Sequence, residues 1–312
     1  MAEMDRNMFF PLGIFFLIIF WIESAVILLG NGFIIVVNGQ SWLQSKEMLP
    51  CDFLLTALSL SRFLLQWIIV SSQLVYFSFP ETYLGSIKHK AFTFSWVYLN
   101  MISLWCVTWL SVFYCVKVCN FAHPLFAWLK PRIGILAPRF LGISVLAFIV
   151  CSIPIMGQCE EKKYHNLTRN LAENNSQSEA HDNCSFMVLS PLKYCFTAIS
   201  FSICVSASIL LLLSLWRHTR NLKKSGLSTK DLSTQAHLSV MKPLLLLLVF
   251  YVVHFAAMII AVGDIFQYGK FERLISDIVL ALYPSAHSVI LITTYPKLKK
   301  ACVHIINPRS AS

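Results

Sequence analysis

Residues 91–116 read AFTFSWVYLNMISLWCVTWLSVFYCV, a run without a single Asp, Glu, Lys or Arg. A helix of about 20 apolar residues crosses a bilayer, because every backbone N–H and C=O is satisfied inside the segment itself. The same lack of charge holds over 194–216, 243–263 and 278–296. Three further stretches, Phe9–Val37, Cys51–Phe79 and Ile133–Gln158, carry only isolated charges. The expectation is an all-α membrane protein, a seven-transmembrane helix bundle forming one domain over residues 1–312. Its spans are placed near 9–37, 51–77, 91–117, 133–157, 187–216, 243–263 and 275–296.

Composition points the same way. Hydrophobic residues make up 57% of the chain and charged ones 13%, with a mean hydropathy of +0.67, outside the soluble globular range. Phe9–Val37 is too long for a secretory signal, and Glu23 and Asn31 interrupt it, so a retained first helix is expected. Pro243 is expected at a helix start, and Pro284 within the last helix, where it removes a backbone hydrogen bond.

The formal charge of +10 invites a nucleic-acid reading, and the placement of the charges argues against it. Lys117, Lys130 and Arg132 lie between helices three and four, and Arg217, Arg220, Lys223, Lys224 and Lys230 between five and six. Lys297, Lys299, Lys300 and Arg309 follow helix seven. These are alternate connectors, which the positive-inside rule assigns to the cytoplasm. Glu160, Glu161, Glu173, Glu179 and Asp182 mark the opposite side, so the N-terminus is expected outside and the C-terminus inside. Three N-x-S/T sequons, at Asn166, Asn174 and Asn183, fall in the loop after helix four and are usable as glycosylation sites only if that loop faces outward. Cys159 and Cys184 share this loop and are the pair a disulfide would join. Most other cysteines fall within or beside the spans, where they act as small apolar residues, and no C-x-x-C pair or His cluster points to a metal. No cofactor is expected.

An ionisable group in mid-bilayer costs about 2.5–3.5 kcal/mol even on lenient scales, so each needs a partner or a purpose. Arg62 in helix two is the most costly. With Asn31 in helix one and Ser288 in helix seven it is expected to form a buried polar network, acting as structural glue or as a conformational switch. Thr93, Trp96, Val97 and Asn100 share one face of helix three by their i, i+3, i+4, i+7 spacing. Trp96 offers a broad π-face, Asn100 a donor and an acceptor, and Asp277 a partner for a ligand amine. Packing by Trp96 and helix capping by Asp277 are the competing readings. Glu23, His254 and Asp277 show no spacing that brings two onto one helix face, so an intramembrane hydrolase lacks its paired groups. The basic 217–224 segment suits anionic headgroups of the inner leaflet or a cytoplasmic partner.

These residues resemble the type-2 bitter taste receptors, seven-helix G-protein-coupled receptors, over almost the whole chain. The resemblance is carried by Gly30-Asn31-Gly32-Phe33-Ile34, by Leu58-Ser59-Leu60-Ser61-Arg62, and most strongly by Trp109 through Lys117 followed by Asn120-Phe121-Ala122-His123-Pro124. Ser214-Leu215-Trp216-Arg217-His218-Thr219 and Tyr283-Pro284-Ser285-Ala286-His287-Ser288 extend it. The chain departs from the family where Ser200 replaces a common Pro in helix five and Thr294-Tyr295 a Gly-Asn pair in helix seven. By position the resemblance implies ligand contacts at Trp96, Asn100 and Asp277, with Gln73 as a further candidate. It also implies bitter small-molecule agonists and a gustducin-type heterotrimeric G protein, touched by Tyr114, Lys117, Arg217 and His218. A vomeronasal type-1 pheromone receptor has a similar helix plan and is the first alternative; a multi-pass transporter is the second, without the paired, interrupted helices such folds usually show.

Overall fold

In hydrocarbon a peptide group has no water to turn to, and helices are the local solution for a chain of this composition. The computed structural model describes residues 2–79, 87–119, 124–173, 184–224, 232–262 and 271–307. They form α1 (Ala2–Ser45), α2 (Pro50–Ser78), α3 (Ile87–Val118), α4 (Pro124–Glu173), α5 (Cys184–Lys224), α6 (Leu232–Val262), α7 (Phe271–Thr294) and α8 (Pro296–Ile306). Segments long and apolar enough to cross a membrane occur in α1 to α5 and in α7. Within α6 the apolar stretch Leu245–Ile260 is shorter among the described residues.

Several helices outrun the apolar spans. Nothing between Gln158 and Glu173 is Gly or Pro, so α4 continues as a helix through this polar sequence. Pro243 lies inside α6 and not at its start, because Leu232 to Lys242 also lacks a helix breaker. Elsewhere the punctuation is local. Lys46, with φ 56, takes the left-handed conformation that ends α1, its N–H bonded to Trp42 O at 2.8 Å. Pro50 opens α2 at a position where a missing N–H costs nothing, and Asp52 in that first turn meets the positive end of the helix dipole.

Packing is circular: α1 lies against α2 and α7, α6 lies between α5 and α7, and α3 packs against α2, α4 and α5. The most apolar window of α3 is 67% buried against 17% for α1, which makes α3 the axial helix and α1 a peripheral one. Outward-facing Leu29, Leu43, Ile135 and Ile153 stay exposed, a surface that suits lipid and not water.

Aromatic rings fill the seam among α3, α4 and α5. Trp105 stacks on Trp109, Trp109 stacks on Phe140 with centroids 4.9 Å apart, and Phe196 meets both Trp105 and Phe148 edge-on. Hydrogen bonds pin that seam. Trp109 Nε1 donates to Ser144 Oγ at 3.1 Å, and the Tyr98 hydroxyl lies 2.7 Å from Ser152 Oγ. Thr108 and Ser200 hydroxyls, 2.7 Å apart, join α3 to α5 at the position where the resembled family commonly has Pro. Each such bond contributes about 0.6 kcal/mol, since the unfolded chain in a membrane also finds partners. At Gly30 a Cβ would sit 2.8 Å from Ser288 Oγ, so the close approach of α1 to α7 depends on that glycine.

After α7 the chain turns at Tyr295, whose extended backbone serves as the N-cap, and Pro296 opens the short α8. Leu298, fully buried, anchors it to the bundle.

Candidate ligand site

Three helices turn matching stripes toward one cavity. α2 contributes Arg62, Leu65, Gln66 and Ile69, at i, i+3, i+4, i+7 spacing. α3 contributes Trp96, Asn100, Ser103, Leu104 and Val107, and α7 contributes Asp277, Leu280, Ala281, Tyr283 and Pro284. Phe20 and Ile27 from α1 and His254 and Met258 from α6 complete the lining. The cavity holds about 50 Å³, room for a few water-sized spheres. A larger molecule enters only if lining side chains move.

Polar groups in the wall are held by neighbours. Asn100 Nδ2 donates to Met258 Sδ at 3.1 Å, linking α3 to α6. His254 Nδ1 lies 3.0 Å from Leu280 O; a carbonyl only accepts, so Nδ1 carries the proton and α6 is tied to α7. Gln66 Nε2 donates to Ser24 Oγ at 2.7 Å, and Ser24 donates to Phe20 O at 2.7 Å, linking α2 to α1. Arg62 Nε donates to Ser103 Oγ at 3.3 Å, and its guanidinium carbon sits 5.0 Å from the Tyr283 ring centroid. The walls thus combine aromatic and aliphatic surface with a few oriented polar groups, the make-up of a small-molecule pocket.

Trp96, Asn100 and Asp277, chosen from the sequence on two different helices, are brought together here. Val97, on the same expected face, is instead buried in the core. Gln73 continues the α2 stripe one turn beyond Ile69 and does not line the cavity. Arg62, Asn31 and Ser288 are all buried, yet their hydrogen bonds differ from the expected network. Asn31 donates to Ile27 O and Ser288 to Ser285 O, each within its own helix, while Arg62 turns to α3 and α7. His254 and Asp277, read as scattered, line one cavity, and Gln66 and Met258 were not singled out. Polar or soft residues at i+4 from another lining residue are the signal that would have found them. Among the described residues no group of three His, Cys, Asp or Glu side chains gathers to hold a metal.

A second polar cluster lies at the other end of the bundle. Asp52 accepts from Lys297 Nζ and from the Tyr295 hydroxyl, each at 2.8 Å. Burial, helped by that bond to Asp52, raises the Tyr295 hydroxyl above its ordinary range and keeps it a donor. Beside it Cys51 Sγ lies 3.2 Å from the Tyr114 hydroxyl, tying α2 to α3. Lys117 and Arg217 are exposed. The His218 and Asn166 side chains, and residues Asn174 and Asn183, lie outside the described set.

A sequence model of the family described as "Taste receptor protein (TAS2R)" matches residues 8–309. The chain belongs to the taste receptor type 2 family. Taste receptor type 2 member 40 of Gallus gallus is 34% identical over 300 residues, covering 94% of this chain and 95% of its own. Taste receptor type 2 member 7 of Mus musculus is 33% identical over 294 residues, 91% of each chain. Taste receptor type 2 member 41 of Mus musculus is 32% identical over 282 residues, 90% of this chain and 92% of its own. The family is one of bitter-taste G-protein-coupled receptors, multi-pass in the membrane, and not a family of enzymes.

Proposed function

We propose that this receptor binds small, mostly apolar bitter compounds in the cavity among α1, α2, α3, α6 and α7 and signals through a gustducin-type heterotrimeric G protein. The observation that carries the reading is the convergence of Trp96 and Asn100 from α3 with Asp277 from α7 on one lining. With the N-terminus outside, as the distribution of Lys and Arg argues, the start of α3 and the cavity's upper wall lie on the extracellular side. Trp96 supplies a stacking face, Asn100 a paired donor and acceptor, and Asp277 an anionic partner for an amine.

A ligand shifts a receptor only through unequal affinity for its two arrangements. The small cavity supplies that inequality. An agonist that occupies it displaces side chains and competes with the Asn100–Met258 and His254–Leu280 links, which hold α6 to α3 and α7. Loosening α6 at this depth frees its inner end, on the side to which the Lys and Arg distribution assigns the exposed Lys117 and Arg217, where the G protein docks.

The test is a screen of bitter compounds on cells that express the receptor with a gustducin-type chimeric Gα, read as intracellular calcium. Activation by at least one bitter compound, lost when the chimera is omitted, supports the reading. Uptake of labelled solute by receptor-containing proteoliposomes, without any G-protein signal, would replace it with a transporter.

A further inference from the structure

Arg139 lies inside the apolar span Phe126–Ile153 of α4, yet it is exposed on the outside of the bundle. It shares that face with Trp128, Arg132 and Ile135 at i, i+4, i+7, i+11 spacing, all of them exposed. The same face continues outward as Gly142, Leu146 and Val150, also exposed. Two guanidinium groups therefore stand on a stripe that otherwise faces lipid chains. Arg132 curls back onto Trp128: Nη1 donates to Trp128 O at 3.1 Å, and the guanidinium carbon sits 4.9 Å from the ring centroid. Arg139 has no hydrogen bond or ion pair among the described residues.

A charge at this depth needs a counter-charge, and the surrounding protein offers none. From Pro124 to Gln158 the chain has no Asp or Glu. α4 packs against α2, α3 and α5. α3 and α5 carry no acidic residue, and the single acid of α2, Asp52, is bonded to Lys297 and Tyr295. The anion has to come from the membrane. Helical side chains lean toward the helix N-terminus, which for α4 is its cytoplasmic end, so Arg139 reaches back toward Ile135 and Arg132. Seven residues separate the two arginines, about 10 Å of rise, and this leaning shortens the distance from Arg139 to the headgroup layer. Beyond Arg139 the surface is open: a Cβ added at Gly142 would meet nothing within 4 Å.

We propose that one anionic glycerophospholipid of the cytoplasmic leaflet binds along this stripe of α4. Its phosphate accepts from the guanidinium groups of Arg132 and Arg139, and an acyl chain runs outward over Gly142 and Leu146. Arginine suits the task because its planar fork meets phosphate oxygens in pairs. The lipid neutralises Arg139 where it stands and fastens the inner half of α4 to the leaflet.

The experiment counts lipids on the detergent-solubilised full-length receptor by native mass spectrometry, titrating phosphatidylserine or phosphatidylcholine with identical acyl chains. The first bound phosphatidylserine is expected to be about tenfold tighter than phosphatidylcholine, and Arg139→Gln to narrow that preference to about twofold. Arg132→Gln is expected to narrow it as well and carries the test should Arg139→Gln not fold. Lys299→Gln combined with Lys300→Gln removes two exposed charges from α8 and is expected to leave the preference intact, which separates a site on α4 from general attraction to a basic receptor. Equal affinity of the wild type for the two lipids, an undiminished preference in the arginine variants, or its loss in the lysine variant overturns the proposal.

Discussion

Lys297 Nζ lies 2.8 Å from Asp52 Oδ2, and this ion pair ties the first turn of α2 to the first turn of α8. The two partners are unequally enclosed: the Lys297 side chain is 29% exposed and that of Asp52 only 8%. Losing the lysine strands a carboxylate, whereas losing the carboxylate leaves a flexible ammonium that reaches water. Lys297→Met is therefore expected to cost about 1–3 kcal/mol, below the cost of breaking a fully buried pair. Asp52→Asn, which keeps an acceptor for Tyr295, is expected to cost less. Thermal melting of the purified variants checks the order, and a larger loss in Asp52→Asn would reverse the assignment.

The contact between Gly30 and Ser288 gives a second expectation. A methyl at position 30 would meet Ser288 Oγ at 2.8 Å and Ser288 Cβ at 3.1 Å, so α1 and α7 must separate. Gly30→Ala is expected to lower surface expression and melting temperature, at a cost of about 1–3 kcal/mol for overpacking. Ser288→Gly in the same chain is expected to recover most of the loss. Gly32→Ala is the control, because its methyl would reach Phe63 at 3.5 Å, an ordinary contact.

Orientation has its own test. With the sequon-bearing segment outside, peptide-N-glycosidase treatment is expected to shift the mobility of the receptor from cells. Replacing Asn166, Asn174 and Asn183 together by Gln is expected to abolish the shift. No shift together with protease protection of this segment in intact cells would place it on the cytosolic side.

Much of this architecture was legible because lipid imposes one rule on every span. Charge-free runs such as 91–116 announced helices, and the 3.6-residue period put Trp96 and Asn100 on one face. What the sequence hid depends on helix rotation and on side-chain choice. Arg62 was expected to meet Asn31 and Ser288, but each of those has a carbonyl of its own helix within reach, and the local bond needs no interhelical geometry. Arg62 instead extends across to Ser103. Gln66 and Met258 escaped as single polar or soft residues in apolar runs and His254 read as scattered, their meaning fixed only once the neighbouring helices surround them. The turn into α8 escaped because its apolar side is short, and its anchor, Leu298, is a single residue between lysines.

The most direct measurement compares calcium dose–response curves of the wild type with Trp96→Ala and Asn100→Ala, using an agonist from the bitter-compound screen and matched surface expression. Each substitution removes a lining group worth about 1–2 kcal/mol, and so is expected to raise the half-maximal concentration by roughly tenfold. Curves for both variants that overlie the wild type at equal surface levels would contradict a ligand site in this cavity.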